Sequence, residues 1–179
     1  LHLLKIHMPY HESDHVLNIA YNVLAGGMRL EDMELRRNDE AYLSALDAER
    51  TPDPTTAGDF TRRFSVSDIE TLMDAINTTR QRVWQRCSGD LINEAFIDVD
   101  GTIAGTLGRC KHGMDISYKG IWGYHPLIVS LANTKEILFM ENRPGNVASH
   151  QGAAKWIDKA IVLVTGRIAM VRTKSASAM

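Results

Sequence analysis

The segment Ala95-Phe96-Ile97-Asp98-Val99-Asp100-Gly101-Thr102 constrains the possible folds of this chain more than any other. Its apolar residues predict a buried strand, in which a carboxylate is costly unless a cation or hydrogen-bond donors compensate its lost hydration. Residues two apart point to the same face of a strand, so we expect Asp98 and Asp100 to emerge together at its end. Such a pair suits a divalent metal ion, and phosphate chemistry is a natural use of that metal.

Composition limits the class of protein. At 179 residues the chain is long enough for one domain, or for one domain with a helical appendage. A formal net charge of −2 excludes a protein that is strongly basic as a whole, but it leaves local basic patches open. The 2 cysteines fit neither a disulfide framework nor a metal cluster, which favours a reduced, cytoplasmic setting. No apolar run approaches the roughly 18 residues of a membrane span, so no membrane partner is expected.

The first half of the chain has helical hydrophobic spacing. Helices are predicted from residue 13 onwards, over residues 30–46 and over residues 66–87, with a rigid break at Thr51-Pro52-Asp53-Pro54. The predicted apolar face of the first helix consists of Val16, Ile19, Ala20, Val23 and Leu24. The long helix carries a basic face with Arg80, Arg82 and Arg86.

The spacing of the hydrophobic residues changes from helical to strand-like at Ser88-Gly89-Asp90, where we place a domain boundary. Beyond it the pattern predicts a strand over residues 94–99, a hairpin of strands 126–132 and 136–141, and a helix over 149–164. The expected fold class is therefore α/β (α+β), with a helical N-terminal region followed by an α/β module whose first strand carries the carboxylates.

One interpretation of the carboxylates is a phosphatase site. The sequence from Asp98 to Thr102 resembles the nucleophile motif of haloacid dehalogenase-like phosphatases, in which the first Asp attacks phosphorus and the second acts as general acid around Mg²⁺. Residues 161–167, which end in Thr165-Gly166-Arg167, resemble the second motif of that family, a strand that ends in Thr-Gly-Arg. Against this interpretation, about half of the chain precedes the first motif. A complete site also needs a downstream Lys and further Asp residues, but only Arg172, Lys174 and a Ser/Ala tail remain.

Longer segments of the chain resemble DDE transposases of bacterial insertion sequences, in the insertion-sequence 1380 group. The segments that carry the resemblance are Asp53-Pro54-Thr55-Thr56-Ala57-Gly58-Asp59-Phe60 with Arg62-Arg63-Phe64, Asp98-Val99-Asp100-Gly101-Thr102, Ile116-Ser117-Tyr118-Lys119-Gly120-Ile121-Trp122-Gly123-Tyr124-His125-Pro126-Leu127, and Asn142-Arg143-Pro144-Gly145-Asn146 with Ser149-His150. The resemblance implies a helical region over residues 1–88 with possible DNA contacts and a partial ribonuclease-H-like core over 89–164. The non-matching tail, residues 165–179, is expected to be disordered.

The resemblance also implies a catalytic role for the carboxylate pair. Asp100 corresponds to the first acid of the DDE triad, and Asp98 is expected to support the same Mg²⁺ or Mn²⁺ ion, or to be bound to backbone amides instead. The second Asp and the Glu should follow a further strand after the helix, but residues Val162–Met179 contain no Asp or Glu. We therefore expect a fragment of a DNA-transposing enzyme that holds metal weakly or not at all and is inactive alone, with a tail that a frameshift or early stop would explain.

DNA at the transposon ends is the partner that this resemblance implies, together with intact transposase as a homo-oligomer at the nucleoid. The residues expected to contact DNA phosphates are Arg62, Arg63, Lys119 and Arg143. Arg143 could equally build the turn in which it lies. Aromatic and basic groups alternate over Tyr118, Lys119, Trp122, Tyr124 and His125, a mixture that suits either stacking on an unpaired base or packing in a core.

Overall fold

A computed structural model of the protein describes residues 10–87, 94–108, 111–165 and, for the backbone alone, 170–175. The chain forms two compact units, Leu1–Thr71 and Leu72–Met179, so the division falls earlier than the predicted boundary and lies inside a long helix. The described part of the first half of the chain is helical, and the second half contains strands and one further helix, which confirms a mixed protein of the α+β kind. Within the described residues, no helix combines the length and the apolar character that crossing a membrane requires.

The first unit is built from short helices. They are α1 (Glu12–Leu24), α2 (Met33–Arg37), α3 (Glu40–Ala45), α4 (Pro54–Thr61) and the first turns of α5 (Val66–Arg86), with a 3-10 turn at Leu30–Asp32. The single helix predicted over residues 30–46 is wrong, because the side chain of Asp39 accepts hydrogen bonds from two backbone N–H groups and caps a new helix there. Asp53 caps α4 in the same way, and Pro54 occupies its first turn.

The buried face of α1 is polar, which contradicts the predicted apolar face. Asn18 donates a 3.1 Å hydrogen bond to the carbonyl of Pro52, and Asn22 donates a 3.0 Å bond to the carbonyl of Arg29. Both asparagines are buried, whereas the exposed residues of the helix include Val16, Leu17, Val23 and Leu24. The inward face of the helix therefore carries the side chains that hydrogen-bond to backbone carbonyls of the loops that follow. Hydrophobic spacing does not reveal that these buried carbonyls need donors.

His15 is the most buried titratable group on α1. Its ring stacks on Phe60 at 4.3 Å between centroids, and Tyr10 approaches it edge-on at 5.8 Å. Burial lowers the pKa of His15; the charges of Asp14 and Glu12 oppose this effect, and that of Arg63 adds to it. The folded protein therefore binds a proton at His15 less readily than the unfolded chain does.

The lowered pKa of His15 predicts a loss of stability in acid. The unfolded chain binds a proton near the ordinary value of 6.5 and the folded one only at lower pH, so the contribution of His15 is complete above 6.5 and declines as the pH falls below it. Urea unfolding of the wild type and His15→Phe should show a smaller decrease in the variant between about pH 7.5 and about pH 5. Exposed His112 changed to Gln is the control, and parallel pH dependences for all three proteins would contradict the assignment.

The second unit contains two sheets. Its strands are β1 (Glu94–Gly101), β2 (Ala104–Gly105), β3 (Asp115–Ile116), β4 (Trp122–Tyr124), β5 (Leu127–Leu131), β6 (Glu136–Glu141) and β7 (Met170–Ser175). The larger sheet has the order β6-β5-β1-β7, in which β5 is antiparallel to both of its neighbours and β7 is parallel to β1. The smaller sheet has the order β2-β4-β3 and is antiparallel. The predicted strand at 94–99 and the predicted hairpin are confirmed.

One face of the larger sheet forms the core with helix α6 (Ala153–Thr165). Burial alternates along β1 and β5, as expected for strands with one covered face. The buried core residues are Ala95, Ile97, Val99, Leu127, Val129, Leu131, Leu138, Phe139, Ala153, Trp156, Ala160 and Val164. The side chain of Asn133, at the hairpin, continues the hydrogen bonding along β1. It accepts a hydrogen bond from the N–H of Phe96 and donates one to the carbonyl of Glu94.

The part of α5 that belongs to the second unit is fixed to the edge strand β6. Asn77 donates a 2.9 Å hydrogen bond to the carbonyl of Leu138, and Arg80 donates to the carboxylate of Glu136 at 3.0 Å and to the carbonyl of Ile137 at 2.8 Å. Arg80 therefore belongs to the internal contacts of this unit and not to an exposed basic face.

Two expectations for the end of the chain need correction. Residues 170–175 are not a disordered tail but strand β7, which pairs with the backbone of β1 along the edge that β5 leaves free. Residues 161–165 are helical because α6 runs on to Thr165, so the strand that the phosphatase motif requires there is wrong. Gly166 and Arg167 lie outside the described residues.

Candidate functional site

Asp98 and Asp100 lie on the same face of β1, as predicted. The core-facing positions alternate with them, so the pair projects from the face of the sheet opposite to α6. Asp98 is half-buried and Asp100 is exposed, and neither has a hydrogen-bond or ion-pair partner among the side chains that the structure describes. The strand is buried on one face only. Water can therefore solvate both carboxylates, and desolvation by itself does not demand a cation here.

The neighbouring strands bring no further acid to the pair. Asp98 lies opposite Ser130, and Asp100 opposite Ile128, on β5; the backbone of Asp98 is level with Lys174 on β7. The described residues hold no group of three or more His, Cys, Asp or Glu side chains that could bind a metal ion together. Two carboxylates still fit Mg²⁺, which is commonly held by one or two carboxylates and takes its other ligands from water and substrate phosphates.

A buried histidine packs against the carboxyl end of β1, next to Asp100. His125 is 3% exposed, and its Nδ1 lies 2.7 Å from the carbonyl oxygen of Val147, which can only accept, so Nδ1 carries the proton. A Cβ atom added to Gly101 would lie 2.5 Å from Nε2 of this ring. The glycine directly after Asp100 is therefore required by packing. The pattern of acidic and apolar residues does not predict this contact, although the glycine at the end of an acid-bearing strand is the feature that suggests it.

Arg143 is an internal residue, which removes it from the expected DNA surface. It is 5% exposed, its Nε donates to the carbonyl of His125 at 3.1 Å, and its Nη1 donates to the carbonyls of Gln151 at 2.5 Å and Ala148 at 3.3 Å. Burial lowers the pKa of the guanidinium, and the charge of Glu141 opposes this. Of its two expected roles, the contacts favour the one in which Arg143 builds the turn.

The rest of the Asn-Arg-Pro-Gly-Asn turn attaches the smaller sheet to the segment before α6. Asn146 donates a 2.6 Å hydrogen bond to the carboxylate of Asp115 on β3, and the N–H of Gly145 donates to the carbonyl of Gly123 at 3.1 Å. A Cβ atom on Gly145 would lie 2.3 Å from the carbonyl oxygen of Asp115. The motif that carries part of the family resemblance is thus explained by packing.

The aromatic residues of the smaller sheet divide into two pairs. Tyr124 donates a 2.8 Å hydrogen bond to the carbonyl of His112, and His125 is buried, so both are structural. Tyr118 and Trp122 are 72% and 43% exposed. Of the two roles that the sequence allowed for this group, packing therefore applies to Tyr124 and His125, and stacking stays a prediction for the exposed rings.

The basic residues of the first unit remain compatible with phosphate contacts. The side chain of Arg62 is 74% exposed and pairs with Asp59 at 2.7 Å, an interaction between neighbours on one helix turn that water weakens. Arg63 is half-buried and has further interactions within the structure. Arg62 is the better candidate of the two.

Comparisons with protein-family models, with curated proteins and with solved structures find no match to this chain.

The contact of Gly101 with His125 predicts a specific packing defect. Gly101→Ala should lower the free energy of unfolding by about 1–3 kcal/mol, because the ring is held by its hydrogen bond and cannot move away. The second change His125→Ala removes the ring, so the extra cost of Gly101→Ala should vanish in that background. Chemical denaturation of the four proteins gives the coupling energy, and additive effects would contradict the contact.

Arg143 should matter for stability and not directly for DNA binding. Arg143→Met keeps the length of the side chain and removes its donors, which should cost about 2–3 kcal/mol because several carbonyls lose a charged partner. Arg62→Met is the matched control and should change the unfolding free energy by less than about 0.5 kcal/mol. Equal effects of the two variants on thermal unfolding would show that the buried hydrogen bonds of Arg143 contribute little.

Proposed function

We propose that this chain is part of a DDE transposase and that its second unit is a ribonuclease-H-like core. The observation that carries the proposal is the carboxylate pair near the carboxyl end of β1, a central strand of the larger sheet. An acid-bearing strand, an antiparallel hairpin and a helix follow one another in the order that the resemblance implies. β7 then lies beside β1, in the place of the further strand after which the second Asp is expected.

In this proposal Asp100 is a metal ligand, and Asp98 either shares the ion or orients its water. When bound, Mg²⁺ or Mn²⁺ would stabilise the charged oxygens of a phosphodiester during in-line displacement. The side chains contribute oxygen donors that share one face of a strand and are open to solvent on that face, where a nucleic-acid phosphate can reach them. Since residues 162–179 contain no Asp or Glu, the pair has no third carboxylate from β7 and is not expected to cut or join strands alone.

Nothing in the geometry favours the phosphatase alternative. Its nucleophile motif is shared with the transposase interpretation, whereas its second motif would fall on residues 161–165, which are helical. The transposase proposal uses the strand order of the larger sheet as well as the acids, and it is therefore the better supported of the two.

Metal binding tests the proposal at the carboxylates. Titration with Mn²⁺, followed by electron paramagnetic resonance of the free ion, should reveal one weak site in the wild type. Asp100→Asn should weaken Mn²⁺ binding by about tenfold or more, because Asp100 is the direct ligand. Asp98→Asn should weaken it by less. Asp158→Asn removes an exposed carboxylate of α6 in the same unit and is the control.

Two results would contradict the proposal: Mn²⁺ binding that is unchanged by both substitutions, or rapid Mg²⁺-dependent hydrolysis of small phosphate monoesters that Asp98→Asn abolishes. The second result would restore the phosphatase interpretation.

A further inference from the structure

The hairpin between β3 and β4 carries an exposed aromatic ring at its tip. Its turn is Ser117-Tyr118-Lys119-Gly120, closed by a 2.8 Å hydrogen bond from the N–H of Gly120 to the carbonyl of Ser117. The buried hydroxyl of Ser117 accepts from the N–H of Ile121 at 3.1 Å. Gly120 has a φ of 73°, a value that glycine adopts without strain. Tyr118 and Lys119 therefore occupy the two corners of a well-defined turn and project into solvent.

A cation lies beside this ring. The Nζ of Lys119 lies 5.4 Å from the centre of the Tyr118 ring, and exposed Trp122 follows on β4. The described residues between 102 and 126 include one acid, Asp115, and two basic residues, Lys111 and Lys119. The carboxylate of Asp115 is already engaged with Asn146 and with the N–H of Ile116. The tip therefore presents an aromatic face and a cation without a competing anion among its described neighbours.

The tip is also rigidly attached at the acid-bearing end of the larger sheet. β1 continues through Gly101 into β2, and β4 returns directly into β5, with a 3.0 Å hydrogen bond from the N–H of Thr102 to the carbonyl of Pro126 across the junction. A Cβ atom on Gly123 would lie 2.2 Å from the carbonyl oxygen of Ala104, so β2 and β4 are in tight contact. The smaller sheet therefore begins at the end of β1 that carries Asp100.

We propose that the smaller sheet binds single-stranded DNA, with an unpaired base stacked on Tyr118 and the adjoining phosphate at Lys119. The face of a base is accessible to an aromatic ring only when the base is unpaired, and stacking needs no particular sequence, which suits an exposed ring with a flexible cation beside it. The identity of the partner as DNA rests on the proposed function. The stacking itself needs neither metal nor the carboxylates.

Fluorescence anisotropy of a labelled oligo-dT in EDTA tests this inference with the whole chain. Tyr118→Ala should raise the Kd by about tenfold, the order expected for one lost stacking contact, whereas Tyr118→Phe keeps the ring and should remain within about twofold of the wild type. A blunt duplex of mixed sequence should bind more weakly than the single strand and should not respond to either change. Circular dichroism should be the same for all variants, because Tyr118 is exposed.

The role of the cation is measured with a charge-matched pair of variants. Lys119→Asn should weaken binding and reduce the slope of log Kd against log salt by about 0.7, as expected for one phosphate contact to a single strand. Lys135→Asn removes the same charge from the exposed tip of the β5–β6 hairpin and should leave the slope unchanged. Equal effects of the two variants would show that the salt dependence of Kd follows net charge, and this would overturn the phosphate contact.

The inference fails if Tyr118→Ala binds the single strand as the wild type does, or if the duplex is preferred and Tyr118 contributes to neither complex. These outcomes are separate from those for metal binding. Loss of Mn²⁺ binding in Asp100→Asn without an effect of Tyr118→Ala would overturn the base-stacking site alone. A Tyr118-dependent Kd without a metal site would retain the stacking site and remove the proposed catalytic role of the carboxylates.

Discussion

The pairing of β1 on both of its edges is the interaction on which the second unit depends. β5 satisfies one edge of its backbone in antiparallel register and β7 satisfies the other in parallel register. Ala95, Ile97 and Val99 fill the core beneath α6. A strand placed in this way has a single free face, and every residue that does not serve the core must appear on that face. The position of Asp98 and Asp100 follows directly from this constraint.

The junction between the two sheets depends on a second constraint, the hydrogen bonds that backbone carbonyls accept from Nε and Nη1 of buried Arg143; its Nη2 has no hydrogen-bond partner within the described structure. Arg143 binds the loop that leads into α6, and the carbonyl of His125 accepts from it while the His125 ring covers Gly101. These contacts hold the smaller sheet against the acid-bearing end of β1. Arg143, which the sequence suggested as a phosphate ligand, is thus an internal support, because an arginine that has lost its water must find acceptors within the protein.

The functional surface proposed for the second unit is smaller than the sequence indicates. It consists of two carboxylates on an open strand face and of an aromatic ring with a lysine at the tip of the adjoining hairpin. The carboxylates could position a metal ion at a phosphodiester, and the hairpin could hold the strand by an unpaired base. Both parts are fixed by backbone pairing, and each can be tested without the other. The proposed membership of a transposase family rests on a resemblance of sequence motifs, and the proposal for the chemistry rests on this geometry.

The sequence alone determined most of the strands and helices of the second unit, because alternation in β1 and β5 and the helical spacing of α6 are local properties with a clear period. It also determined that Asp98 and Asp100 share a face. It failed for α1, where buried Asn18 and Asn22 replace the predicted apolar face, and for residues 170–175, whose strand exists only through pairing with β1. Only the tertiary structure decided that Arg143 is internal and that Tyr118 is exposed. The physical reason is that the periodicity of a helix or strand fixes which residues share a face. Which face is buried depends on the other elements that pack against it in the folded chain.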